Sequence, residues 1–207
     1  MIINDFCKEK NKDIVVFDLE IKNEIGKNGV TWGTHDKMGI SVGVTYSFLH
    51  DEYKVFMDDN LPEMFDTLKN AHMTSGFNTI SFDMMLLAAM IPAAKDYLHP
   101  LITRNYDCLI HSRDASKMDK YTKGFKLDEH LFHIFGKEFM KTADGASAPI
   151  WWQEKKYGKV ISYCLDDVKR EKGLFEHFWE RQWTKTSHGQ FNLKTTPHEF
   201  FTNLEAK

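Results

Sequence analysis

The run "DIVVFDLE", residues 13–20, constrains the fold more than any other stretch of the chain. Ile14, Val15, Val16 and Phe17 read as a buried β-strand, yet the strand ends in two carboxylates, Asp18 and Glu20, one residue apart. An ionised carboxylate taken out of water needs a partner or a metal. Side chains alternate faces along a strand, so Asp18 and Glu20 project into one small volume. Like charges held that close repel unless something positive sits between them. Either the strand runs out into solvent at Asp18 or the pair faces a cation, and this segment alone leaves both readings open.

The rest of the sequence supplies a setting for such a strand. A Gly- and charge-rich connection, residues 21–37, leads to a second strand over 38–48 and, through "HDEY", to a third in "KVFMDD", paired antiparallel with the second. Leu61, Met64, Phe65 and Leu68 stand at helical spacing with Pro62 in the first turn. "MTSGFN" predicts a short strand before the apolar helix "SFDMMLLAAMI", and a further strand is expected near 102–110. Helices are predicted around 125–136 and 158–181, and the signals weaken from about 184 onward. These elements describe an α/β fold, a mixed sheet with helices on its faces, over a main domain at 1–183 with a C-terminal extension at 184–207.

In a chain of 207 residues with a net charge of −3, no global field draws nucleic acid, so such binding must come from local patches. Cys7, Cys108 and Cys164 are odd in number and scattered, which predicts reduced thiols with no CxxC pair for zinc. No apolar run approaches the ~20 residues of a membrane span. The N-terminal residues lack the pattern of a secretory signal, so no membrane partner and a cytoplasmic location are expected.

Two later segments could complete a site around Asp18 and Glu20. In "GFNTISFD", Asn78 precedes Asp83 across a strand-to-helix junction, where helix capping alone would also explain Asp83. In "YCLDDV", Tyr163 and Asp167 lie four apart, one turn from each other on one face of a helix. The same spacing also fits a solvated surface helix.

Taken in order, D-x-E on a strand, N-x3-F-D at a helix start and Y-x3-D on a late helix resemble the motifs of the DEDD-type 3′→5′ exonucleases. The likeness is to the subclass with tyrosine in the third motif, in the RNase H-like superfamily. It is nearest to stand-alone, phage-type relatives of family-B polymerase proofreading domains and spans roughly residues 13–181. The resemblance implies an RNase H-like mixed five-stranded sheet with helices on both faces. It further implies two divalent cations, Mg²⁺ or Mn²⁺, held by Asp18, Glu20, Asp83 and Asp167, with Tyr163 contacting the attacking water. Leu19, Asn78 and Phe82 would then lie toward the substrate, the 3′ end of single-stranded DNA, and a replication or repair protein could be a partner. Hard cations prefer oxygen ligands, in keeping with this set. Without metal the four acids crowd like charges, so at least one should take a raised pKa. Ile21 departs from the hydroxyl residue that many relatives carry after the Glu. A non-catalytic RNase H-like module that binds nucleic acid or a replication partner is the alternative.

Lys117, Lys120, Lys123 and Lys126 recur at intervals of three with Tyr121 and Phe125 between them, a composition suited to phosphates and stacked bases, although a solvated face is the commoner source of such spacing. Trp151 and Trp152 follow "KTADGASAP" and read as core or interface. His130 and His133 read as structural. Asp107 fits either a cleft wall or a turn.

Overall fold

A computed structural model provides the structure, in which residues 2–140 and 145–206 are described. Residues 141–144, within the "KTADGASAP" connection, lie outside the described residues. Strands β1 (Ile14–Ile21), β2 (Ile40–Ser47), β3 (Glu52–Phe56), β4 (Met73–Gly76) and β5 (Asn105–Asp107) form one sheet in the order β3-β2-β1-β4-β5. The β1–β2 and β2–β3 pairs are antiparallel; β1–β4 and β4–β5 are parallel. This is the mixed five-stranded sheet of an α/β fold that the sequence leads one to expect.

Helices α1 (Ile3–Lys10), α2 (His35–Met38), α3 (Leu61–Asn70), α4 (Asp83–Met90), α5 (Pro92–Asp96) and α6 (Leu98–Thr103) belong to the first half of the chain. Helices α7 (Cys108–Ser116), α8 (Leu127–Phe135), α9 (Ser147–Gln153) and α10 (Tyr157–Arg181) follow β5. The chain continues through a hairpin, β6 (Trp183–Thr186) and β7 (Gly189–Asn192), into α11 (Pro197–Glu205).

The two faces of β1 feed two separate cores. Ile14 and Val16 pack with Val160, Cys164, Val168 and Phe175 of α10. Val15, Phe17, Leu19 and Ile21 join Met64 and Leu68 of α3 and Leu86 and Leu87 of α4. Each large apolar side chain fully buried this way contributes ~1.5–3 kcal/mol. Two-residue alternation therefore carries Asp18 and Glu20 along the row of Ile14 and Val16, onto the face that α10 covers.

Several elements differ from the sequence expectation, each for a local reason. β3 stops at Phe56 rather than running on through "MDD", because the Asn60 side chain accepts the Met57 N–H at 2.7 Å and draws the backbone out of the ladder. The strand near 102–110 shrinks to three residues because Asp107 starts α7. Beyond residue 184 the polar sequence conceals a hairpin and a helix opened by a capping box of Thr196 and Glu199. Phe201 anchors that helix, fully buried with its ring 5.0 Å from Phe6 of α1. Among the described residues, no helix is long and apolar enough to cross a membrane.

Candidate metal and catalytic site

The site begins where the sheet opens. β1 pairs with β4 only over Ile14–Val16, so the end of β1 has lost its neighbour on that side. The Leu19 N–H, without a strand to receive it there, donates to Asp83 Oδ1 at 3.1 Å. The helix that follows β4 thus delivers a carboxylate to the gap in the ladder. Gly76 permits the close approach: a Cβ there would come within 2.7 Å of the Phe17 carbonyl oxygen and 3.2 Å of Glu171 Oε2.

From the other face, α10 presents Tyr163, Cys164, Asp167 and Glu171, all buried. Carboxylate oxygens of Asp18 and Glu20 and the Cys164 sulfur lie within 4.8 Å of one another. Cys164 Sγ is 3.5 Å from the Asp18 carbonyl oxygen and 3.7 Å from its Oδ2, so the thiol can donate to Asp18. Burial, followed by the charges of Asp18, Glu20, Asp167 and Glu171, pushes the thiol pKa well up. With no cation beside it the thiol is therefore a protonated donor. The same set of charges shows that acids from β1 and α10 converge on one point.

Asp83 carries the electrostatic cost. It is 2% exposed, and burial pushes its pKa well above the ordinary carboxylate value, with the Asp18 charge adding to the rise. Asp167 instead meets a cation of the protein: Arg170 Nη1 stands 3.2 Å from Asp167 Oδ1, and Nη2 reaches the Met140 carbonyl at 3.5 Å. This donor set fits a hard divalent cation, since it consists of carboxylates crowded out of water beside a thiol held neutral. The Tyr163 ring is fixed edge-on against Trp151, at 6.0 Å between centroids.

The structure thus brings Asp18, Glu20, Asp83, Tyr163 and Asp167 to the end of β1. The Leu19 side chain points into the core, and its N–H is what it offers the site. Asn78, in a left-handed conformation (φ 66°), lines a groove of about 1440 Å³ that Asp18 also lines, whereas Phe82 packs on Trp32 and His35. Lys120, Lys123 and Lys126 line the same groove; Lys117 ends α7 and does not. Phe125 is buried, so it has no face to offer a base. His130 is a core residue, with Nε2 2.6 Å from the Ser112 hydroxyl. Asp107 is a cap: it accepts the N–H groups of Asn78, Ile80, Leu109 and Ile110.

Arg170 and Glu171 do not stand out in the sequence, and Cys164 reads there only as a reduced thiol. Helical spacing contains the signal, because Glu171 stands four beyond Asp167 on the same face and Arg170 three beyond.

No protein-family model matches the chain, and no curated protein sequence does. Among solved structures, the family B DNA polymerase from the hyperthermophilic archaeon Pyrobaculum calidifontis is similar, with a TM-score of 0.59 and 20% sequence identity over 81% of this chain. The likeness is one of fold. The chain corresponds to 24% of that polymerase's length.

Proposed function

We propose that the protein is a metal-dependent 3′→5′ exonuclease that removes nucleoside 5′-monophosphates from the 3′ end of single-stranded DNA. One observation supports this reading above the others: Asp18, Glu20, Asp83 and Asp167 converge from β1, α4 and α10 beside the Tyr163 face of α10. A fold shared with a DNA polymerase makes nucleic acid the substrate class to test first. In this reading the four acids hold two cations, Mg²⁺ or Mn²⁺, which when bound supply an acidified water and neutralise charge at the attacking and leaving oxygens.

The chain's own groups do the remaining work. Asp83, fixed by the Leu19 N–H, and Asp18, contacted by the Cys164 thiol, hold their carboxylates in place before substrate arrives. The Tyr163 hydroxyl orients the attacking water, a positioning role that needs no change of protonation. Attack at phosphorus breaks the bond to the 3′ oxygen and leaves the phosphate on the released nucleotide. Arg170 holds Asp167 in place and limits the negative charge of the cleft in the absence of cations.

A non-catalytic module that binds nucleic acid or a replication partner is favoured by one feature, the Arg170–Asp167 pair, which would suit a cleft that never takes metal. Incubating the protein with 3′- and 5′-labelled single-stranded DNA and RNA, in Mn²⁺ and in chelator, separates the two. The exonuclease reading expects mononucleotides from the 3′ end in Mn²⁺ alone and none from Asp18→Ala. Wild-type release that persists in chelator, or that Asp18→Ala retains, would sink it.

A further inference from the structure

Two aromatic rings stand unusually far out of the protein: Trp32 is 70% exposed and Tyr121 is 79% exposed. Scattered exposed aromatics are ordinary on a protein surface, but these two line one groove, together with Asp18, Lys120 and Lys123. They come from unrelated connections, 22–34 and 117–126, so no local repeat accounts for their meeting.

Neither ring sits on a slack loop. Behind Tyr121, Arg113 donates to the Asp119 carbonyl at 2.7 Å and the Thr122 carbonyl at 3.3 Å, and its guanidinium lies 4.7 Å over the Phe125 ring. The opposite side of the loop is held by the β6–β7 turn, where His188 Nε2–H donates to the Lys123 carbonyl at 2.8 Å. The His188 ring also stacks on Phe125 at 5.7 Å. Phe125 is only 3% exposed, the buried peg of the loop, and the Tyr121 N–H donates to Asp119 Oδ1 at 2.7 Å. On the other connection, Trp32 leans edge-on against Phe82 at 5.9 Å, immediately before Asp83, and the turn is tied by the Thr31 N–H to Thr34 Oγ1 at 2.7 Å. Braced backbone with a bare ring is the arrangement that loses least order when a flat ligand lands on it.

We propose that Trp32 and Tyr121 are stacking platforms for the bases of an unpaired nucleic-acid strand lying in this groove, with Lys120 and Lys123 on its phosphates. The proposal rests on the exonuclease reading for its substrate and adds the basis of strand selection. A single strand exposes base faces to rings and its backbone to cations, whereas a duplex keeps its bases stacked on one another. Lys120 Nζ lies 5.0 Å over the Tyr121 ring, so one short movement moves the cation off the ring and frees it for a base. The groove also takes Asp128 and Glu129 along its wall, which keeps phosphate attraction confined to the lysine loop.

Binding of dye-labelled oligothymidylate, followed by fluorescence anisotropy in chelator so that no hydrolysis can occur, tests this without reference to catalysis. Trp32→Ala and Tyr121→Ala should each weaken binding by about tenfold, Trp32→Phe should recover most of the loss, and a blunt duplex should bind more weakly than the single strand. Both positions are exposed, so the variants should retain the wild-type circular dichroism. Alanine variants that bind as wild type does, or a duplex that binds as tightly as the strand, would overturn the proposal. If the alanine variants lose binding as expected while the wild type releases no nucleotide in Mn²⁺, the platforms stand and the exonuclease reading falls.

Discussion

Asp83 and Asp107 occupy equivalent places in the chain and have come to different uses. Each stands between a parallel strand and the helix it opens, Asp107 as the last residue of β5 and Asp83 after a short connection from β4, and each is buried, at 2% for Asp83 and 1% for Asp107, so for both the first influence on the pKa is burial, which raises it. Asp107 then accepts four backbone N–H groups, from Asn78, Ile80, Leu109 and Ile110, all of which favour its charged form. Asp83 accepts the Leu19 N–H and its own, but its second-largest influence is the negative charge of Asp18. A buried carboxylate saturated by backbone donors is a structural strut. In the proposed reading, one left facing its own kind takes its counter-charge from a cation.

The largest test of that contrast is Asp83→Ala. It should lower mononucleotide release from single-stranded DNA in Mn²⁺ by about 10³-fold or more while the protein stays folded by circular dichroism. Asp107→Ala should do the reverse, lowering stability by about 2–4 kcal/mol in urea denaturation, because it strands several backbone donors and removes a helix cap. Its turnover per folded molecule should stay within about tenfold of wild type. Should Asp107→Ala lose activity as deeply as Asp83→Ala, the division between strut and ligand would not hold.

Tyr163→Phe removes a positioning hydroxyl and no ligand, so a loss of about 10²-fold or less is expected in the same assay. A loss matching that of Asp83→Ala would give the phenol a larger part than orientation.

Stability against pH sharpens the comparison further. The buried His130 ring, with Nδ1 2.9 Å from the Lys126 carbonyl, has its pKa pushed down from 6.5 to about 4 by burial. The unfolded chain then binds more protons in that window, so this stabilisation is fully present above pH 6.5 and is lost as pH falls toward 4. Between pH 7 and 5 the loss should be on the order of 1–2 kcal/mol, read from urea midpoints, and His130→Asn should flatten the slope. Asp83 has the opposite sign. Its raised pKa favours the folded state at low pH and withdraws that benefit as pH climbs above the free value of 3.8. Asp83→Asn in chelator at pH 7.5 should therefore melt at or slightly above wild type, by about 1 kcal/mol or less. In Mn²⁺ the order should invert, since the intact site gains more from the ligand. A mutant clearly less stable than wild type in chelator would mean that Asp83 holds the fold as Asp107 does.

Where periodicity within one element sufficed, the sequence alone determined the outcome. Alternation along residues 14–20 placed Asp18 and Glu20 on one face, and a four-residue step placed Tyr163 and Asp167 together on α10, because strand and helix geometry are properties of the local backbone. The mixed sheet and its flanking helices were legible for the same reason. Only the tertiary structure separated Asp83 from Asp107, since both look like helix caps and the difference lies in which distant groups meet them: Leu19 and Asp18 for one, the 78–80 turn for the other. Tertiary contact likewise decided that Asp83 would face the Asp18 charge, whereas the Arg170–Asp167 pair follows from a three-residue step within α10. It also brought Trp32 from one connection and Tyr121 from another to a single groove. Such pairings are set by where the cores on the two faces of β1 carry their loops, and nothing in the spacing of residues along the chain encodes that distance.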